Sequence, residues 1–379
     1  MKVPFVYGRR AEAEEFTGRE QDVERLKMNF RSSINTTIVS PRRWGKTSLV
    51  HKVLDEIAAT DKDYMVCNVD MFNCRDEEHF FNAYLTAVLK ASTTKLDEML
   101  ELVKNYIGSF GPKLTLSDVA SLTELSVGID FKNKSYSVDE ILNLPEKIAK
   151  ERGKQFIVCI DEFQNIENFA NPRQFQGELR SYWQLHQHVC YCLYGSKRHM
   201  LLNMFSNYEM PFYKFGDLMV LDKIPMSEWE RFIVRRFNDT GKHISTENAA
   251  QIAERVECHS YYVQQYSQLV WLLTAHTATQ EHLDTAFGQL VDRSTLLFDN
   301  IIDNLKPRQI NFLLAIAEGE KNFSSADVLK RYNLGTSANI KNLRKSVVEK
   351  DLVDIIGKTL YIQDPVLKYW LVNRYNKGG

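Results

Sequence analysis

The chain has 379 residues, 44% of them hydrophobic, and a formal net charge of −1. That length and apolar content suffice for two or three domains with cores of their own, and the near-neutral balance gives no whole-chain argument for a polyanionic partner. The cysteines, Cys67, Cys74, Cys159, Cys190, Cys192 and Cys258, show neither C-x-x-C spacing nor a zinc-type histidine pattern and read as reduced core residues. No apolar run nears the ~20 residues of a bilayer span and no signal-type segment opens the chain, so the expectation is a cytoplasmic protein without membrane contact.

The opening Pro4-Phe5-Val6-Tyr7-Gly8 and the segment Phe16-Thr17-Gly18-Arg19-Glu20 precede a helix whose apolar positions are Val23, Leu26 and Phe30, with Thr17 or Gly18 as its cap. Taken alone, the opening reads as an arm packed on a sheet edge. The β-branched run Thr36 to Val39 then enters the loop Ser40-Pro41-Arg42-Arg43-Trp44-Gly45, which opens into the apolar-periodic Lys46-Thr47-Ser48-Leu49-Val50. Strand, loop and helix in this order form a cradle for phosphate. Loop and helix N–H groups face the anion, Lys46 would neutralise β/γ-phosphate charge, and the Thr47 hydroxyl would ligate Mg²⁺. The usual pattern is G-x-x-x-x-G-K-[ST], and Ser40 stands at its first glycine. Glycine there serves a tight turn with positive φ, which Ser occupies at a cost or forms with a different torsion. The plain alternative is a Lys-Thr pair opening an ordinary helix.

Tyr64 to Asp70 reads as a second strand, whose Asn68 or Asp70 either touches the water network of the site or is a plain strand-end polar residue. Glu77 to Tyr106 is helical in pattern, through Phe80, Phe81, Tyr84, Leu85, Val88 and Leu89. Residues 108–133 break that pattern, and the alternation of Leu114, Leu116, Leu125, Val127, Ile129 and Phe131 predicts an inserted hairpin. A helix from Val138 to Arg152 leads to Gln155 to Ile160, a continuous apolar run ending in Asp161-Glu162, as expected of a strand buried on both faces with acids at its tip. Open α/β sheets bind ligands at such tips. Asp161 would hold Mg²⁺, directly or through water, and Glu162 would orient and polarise the attacking water. A helix through Phe175 to His186 precedes the buried strand Val189 to Tyr194, with Gly195-Ser196 at its end, and Asp217 to Leu221 completes the sheet.

From Ser227 the pattern is all-helical: Glu228 to Phe237, Thr246 to Val256, Ser260 to Ala275 and Thr279 to Ser294. The last segment reads as three helices, Arg308 to Ala317, Ala326 to Tyr332 capped by Ser325, and Ser337 to Lys350 capped by Thr336. A hairpin, 352–356 and 359–362, follows around a Gly357-Lys358 turn. This is a winged-helix arrangement whose third helix carries Asn339, Lys341, Asn342, Arg344 and Lys345 in the position of a groove reader. The expected division is 1–225 (with the hairpin at about 108–133), a helical lid at 226–297, and a winged helix at 298–379.

The F-x-G-R-E segment, S-P-R-R-W-G-K-T-S-L and I-D-E-F-Q together resemble an archaeal and bacterial ATPase family of the MNS clade of STAND P-loop NTPases, close to AAA+ proteins. The resemblance spans nearly the whole chain. It implies an α/β P-loop NTPase sheet of the ASCE/AAA+ kind followed by an all-helical lid and a winged helix. It places Phe16, Gly18 and Arg19 beside the adenine and the loop from Ser40, Pro41, Arg42, Arg43, Trp44 and Gly45 through Lys46, Thr47 and Ser48 around the phosphates of ATP or ADP. Gln164 lies where family members carry polar residues, as a water-positioning or loop-capping amide. Ser196 matches the residue that senses the γ-phosphate, and Arg198 would act as an arginine finger for its own or a neighbouring subunit. Relatives with Ser at the first loop position accommodate Ser40. The G-x-P-like lid turn of the family is replaced here by Cys258-His259-Ser260-Tyr261-Tyr262, where Tyr261 or Tyr262 would stack nearby and His259 is expected on the surface at a helix N-terminus. No N-K-x-D-like guanine signature stands out.

The leading expectation is a Mg²⁺-dependent ATP-hydrolysing switch that couples nucleotide state to lid and winged-helix movement, with DNA or a protein as partner of the winged helix and room for a homo-oligomer. The alternatives are a DNA-binding regulator, to which the 13 Lys/Arg against 8 Asp/Glu of residues 301–379 lend a basic surface, and a non-hydrolysing nucleotide-bound scaffold.

Overall fold

The computed structural model of the chain describes residues 3–106, 113–115, 126–128 and 137–376. By their contacts these fall into two compact units. Arg19–Arg42 with Lys46–Asp222 form one; the segment up to Gly18, Arg43–Gly45 and the chain from Lys223 onward form the other.

The first unit is built on strands β1 (Thr36–Val39), β2 (Tyr64–Asp70), β5 (Gln155–Asp161), β6 (Val189–Gly195) and β7 (Asp217–Val220). Their order is β2-β5-β6-β1-β7, and every neighbouring pair is parallel. Parallel pairs need crossovers, and the helices α2 (Lys46–Thr60), α3 (Glu77–Ser92), α5 (Ser137–Arg152), α6 (Pro172–Trp183) and α7 (Arg198–Ser206) lie between the strands in sequence. Covered sheet faces explain the uninterrupted apolar strands: all of β6 and the interior of β5 are buried. Alternate β5 and β6 residues, Phe156, Val158, Ile160, Tyr191 and Leu193, join Phe80, Tyr84 and Leu85 of α3 and Trp183 of α6 in one core, where Trp183 stacks on Tyr191 with centroids 4.3 Å apart.

The pattern over Glu77 to Tyr106 is two helices rather than one, α3 and α4 (Leu96–Tyr106). Thr93 adopts an extended backbone between them, and its hydroxyl accepts from Lys95 N–H at 3.1 Å and donates to Glu98 at 2.6 Å. A threonine side chain thus competes with the helix ladder at this point. Of the predicted hairpin, β3 (Lys113–Thr115) and β4 (Ser126–Gly128) pair antiparallel, and the rest of 108–133 lies outside the described residues. The helix α1 (Glu20–Arg31) has Arg19 as its N-cap residue, not Thr17 or Gly18.

In the second unit the N-terminal arm is not a sheet-edge strap. Phe5 is buried against Phe232 and Phe237 of α8 (Met226–Asn238), Arg236 Nε donates to the Pro4 carbonyl at 2.9 Å, and Val6 N–H donates to Gln264 at 3.2 Å. An apolar core runs from this arm through α8, α9 (Thr246–Arg255), α10 (Ser260–Leu273) and α11 (Gln280–Asp303) into α12 (Pro307–Ala317), α13 (Ala326–Arg331), α14 (Ser337–Glu349), the hairpin β8 (Val353–Ile356) and β9 (Thr359–Ile362), and α15 (Pro365–Trp370). α11 runs past Ser294 to Asp303, so the expected division at 297/298 falls inside one helix. The two-residue wing turn is present, with Gly357 at φ +63°.

Candidate functional site

In a parallel sheet all C-terminal strand tips share one edge, and β1, β5 and β6 end there with Val39, Asp161 and Gly195. The loop after β1 leads into α2. Its left-handed residues are Arg43 (φ +63°) and Gly45 (φ +92°), and Ser40 is not among them. The first loop position therefore needs no glycine torsion, and buried Ser40 fits, its hydroxyl donating to the Pro41 carbonyl at 3.1 Å.

Helix α2 starts at Lys46, whose ammonium is buried beside the acids of β5. Burial lowers its pKa, Glu162 and Asp161 oppose that shift, and Arg42 adds to it. Thr47 Oγ1 donates to Asp161 Oδ2 at 3.3 Å, and the other Asp161 oxygen accepts the Glu162 N–H at 2.8 Å. Asp161 is pushed up to about 6, first by burial and further by Glu162 and Asp70, while Lys46 pulls it down. Lys46, Thr47, Asp161 and Glu162, separated by over a hundred residues of sequence, thus meet at one edge.

Glu162 itself sits in the left-handed region (φ +53°, ψ +37°). The cause lies one residue on: Phe163 is fully buried against Phe205, Phe212 and Trp183, so the chain must turn inward at once after β5. Glu162 Oε2 accepts from Ser196 Oγ at 2.9 Å and also from Gln164 Nε2, and Ser196 Oγ accepts in turn from Arg42 Nε at 3.4 Å. Gln164 is 1% exposed and its Oε1 has no hydrogen-bond partner among the described residues, a cost of about 1–3 kcal/mol. Sequence reasoning passed over Gly195. A Cβ there would stand 1.7 Å from Gln164 Oε1, so only glycine admits the amide. A glycine closing an otherwise apolar strand was the available signal.

Ser40, Pro41, Arg42, Lys46, Thr47, Asp161, Glu162, Gln164 and Ser196 therefore belong to the sheet unit's tips and loops, and Ser48 follows in the first turn of α2. Arg198 is the first residue of α7, with Lys197 as N-cap, so two cations stand at a helix N-terminus against its dipole. Arg19 is buried and engaged, donating to Asp22 and to the Asp222 carbonyl, each at 3.0 Å.

The second unit holds the partly buried Phe16. It also holds Gly18, where positive φ and an Ile224 methyl 2.5 Å from a Cβ position both require glycine. Arg43 lies over the Tyr261 ring at 4.5 Å and Lys223 Nζ is 6.0 Å from the Trp44 ring centroid. His259 is buried rather than at the surface: it is the N-cap residue of α10, packs on Tyr262, and is driven down to about 3 by burial and by Lys223 and Arg43. The turn before it holds Glu257 and Cys258 in left-handed torsions without glycine. Tyr262 donates to Asp364, the side chain that caps α15.

The family model described as "Probable winged helix domain" matches residues 296–373. No curated protein matches the chain in sequence. Among solved structures, a Walker-type ATPase of Pyrococcus abyssi is similar at 15% identity and TM-score 0.67, over 97% of this chain and 99% of that one. The ORC2 protein of Aeropyrum pernix, in ADPNP-ADP complexes, is similar at 14% identity and TM-score 0.59, over 99% and 97%. The ORC1 protein of the same organism, in complex with DNA, follows at 12% identity and TM-score 0.50, over 95% and 93%. At these identities the likeness is one of fold: a five-stranded parallel sheet of the P-loop kind with a C-terminal winged helix. No helix among the described residues is long and apolar enough to cross a membrane.

Proposed function

We propose that the chain is a Mg²⁺-dependent ATPase whose nucleotide state sets the placement of its helical lid and winged helix, a STAND-like switch of the cytoplasm. The observation that carries this reading is the meeting of buried Lys46 and of Thr47 with Asp161 and Glu162 at the tips of β1 and β5. The donor set suits Mg²⁺. Among the described residues no group of three or more His, Cys, Asp or Glu is arranged to hold a metal ion by itself, and a cation held by one or two protein oxygens with phosphate and water is the habit of Mg²⁺. When bound at Thr47 and Asp161, the metal would neutralise charge developing on the β- and γ-phosphates.

Lys46 binds those phosphates with the N–H groups of the loop from Ser40 to Gly45 and of Ser48. Glu162 orients a water for in-line attack on the γ-phosphorus, and Ser196, whose hydroxyl donates to Glu162, is assigned to γ-phosphate sensing by resemblance. Arg198 supplies a cation to the leaving charge, from its own or a neighbouring copy. Phe16, Gly18 and Arg19 are assigned to the adenine side by resemblance. Phosphate release from ATP is the test. The unsubstituted protein with Mg²⁺ should release it and Glu162→Gln should bind ATP without release. Substantial turnover by that variant removes Glu162 from the mechanism. Binding without turnover in the unsubstituted protein, with candidate partners present, favours the non-hydrolysing scaffold.

A second reading, a DNA-binding regulator, draws on the exposed Lys341, Asn342 and Lys345 of α14 and on the DNA complex of the similar ORC1 structure. Its test is a salt-sensitive shift of duplex DNA that is lost in Lys341→Ala/Arg344→Ala; no shift at low salt retires it.

A further inference from the structure

We propose that Gln164 is the residue that aims Glu162. Its amide, with the Ser196 hydroxyl, holds one carboxylate oxygen and leaves the other to face the attacking water. The inference rests on the ATPase reading for its chemistry and on geometry alone for the contact. Both donors, Gln164 Nε2 and Ser196 Oγ, meet the same oxygen of Glu162, Oε2. A glutamate leaving a left-handed turn on three rotatable bonds has no reason to point one way unless something holds it, and asymmetric loading fixes which oxygen stays available.

The seat of Gln164 is tight. The side chain is 1% exposed in the 3₁₀ turn Phe163–Asn168, and Gly195 leaves the space its amide fills. The amide nitrogen must face the carboxylate, because the opposite assignment would set two acceptors together. That leaves Oε1 buried without a partner. A side chain present only for packing would not carry an unpaired acceptor there, since a leucine fills similar volume without that penalty. Glutamine at this position sacrifices stability and retains one N–H donor for Glu162, the trade expected of a positioning residue.

The test is a set of substitutions read in two ways. Gln164→Leu should keep the Kd for a fluorescent ATP analogue within about threefold and lower kcat on the order of 10²-fold, the cost of misplacing a reacting group by about 1 Å. The same variant without nucleotide should melt no lower than the unsubstituted protein. A drop in melting temperature with kcat unchanged overturns the proposal in favour of a packing role, as does an unchanged kcat alone. Gly195→Ala, which drives a methyl into Gln164 Oε1, should lower both kcat and the nucleotide-free melting temperature. In a Gln164→Ala background it should do neither further, the non-additivity expected of two residues in contact. Equal losses in both backgrounds overturn the contact. The melting cycle needs no nucleotide, so it separates failure of this proposal from failure of the ATPase reading, which would instead show as absent ATP binding in the unsubstituted protein.

Discussion

The edge of the sheet unit and the outer face of α14 are both polar and both carry lysines, yet they are built on opposite terms. At the sheet edge Lys46 and Gln164 are buried, burial raises the Asp161 carboxyl to about 6, and hydrogen bonds tie Arg42, Ser196, Glu162 and Gln164 into one chain. On α14, Lys341, Asn342 and Lys345 are exposed, and Lys345 meets its helical neighbour Glu349 at 3.7 Å. Burying charge costs several kcal/mol per ion and persists only where something uses it, whereas exposed charge is worth a few tenths and is screened by salt. On the proposed reading, chemistry belongs to the first region and salt-dependent attraction to the second.

The largest effect expected is on turnover. Replacing Glu162 by Gln should lower phosphate release by roughly 10²–10⁴-fold, the range of a lost general base, with nucleotide affinity retained in equilibrium binding. Next is Lys46→Ala, which removes a charge-assisted contact of about 1.5–3 kcal/mol and should weaken ATP binding by roughly tenfold to a hundredfold.

Asp161→Asn sharpens the contrast through pH. The folded state raises this carboxyl from 3.8 to about 6, so it holds the proton more tightly than the unfolded chain, and stability falls as pH rises through that window. Above it, the ionised carboxylate costs on the order of 3 kcal/mol, which the asparagine escapes. The nucleotide-free variant should therefore melt higher than the unsubstituted protein at pH 7.5, and that advantage should shrink by pH 4.5. A constant difference across pH, measured by calorimetry, would mean that Asp161 is not held as described. The smallest effect is on the other face: Lys341→Ala with Lys345→Ala should leave melting within about 0.5 kcal/mol and turnover unchanged. Lost turnover there would break the contrast by tying α14 to the chemistry.

Sequence periodicity and spacing made much of the sheet legible, because β5 and β6 are buried on both faces and so read as unbroken apolar runs. The strand-loop-helix around Lys46 was legible for the same reason, since its pattern is a local consequence of backbone geometry. What escaped was long-range, apart from one local break at Thr93. Phe5 names no partner in sequence, and only the fold shows it seated in α8 rather than on the sheet. His259 at a helix start looked exposed, but Tyr262 and the left-handed turn before it fold it inward. Thr93 interrupts an apolar pattern that would otherwise run on, because its hydroxyl bonds locally, and helical period alone is blind to that. The need for Gly195 arises only when the 3₁₀ turn after β5 brings Gln164 against the end of β6.

Equilibrium binding of a fluorescent adenine nucleotide, with and without Mg²⁺, tests the central claim most directly. Saturable uptake that strengthens with the divalent ion and is weakened in Lys46→Ala is the predicted result. No uptake at any Mg²⁺ concentration, or uptake indifferent to Lys46, would contradict it.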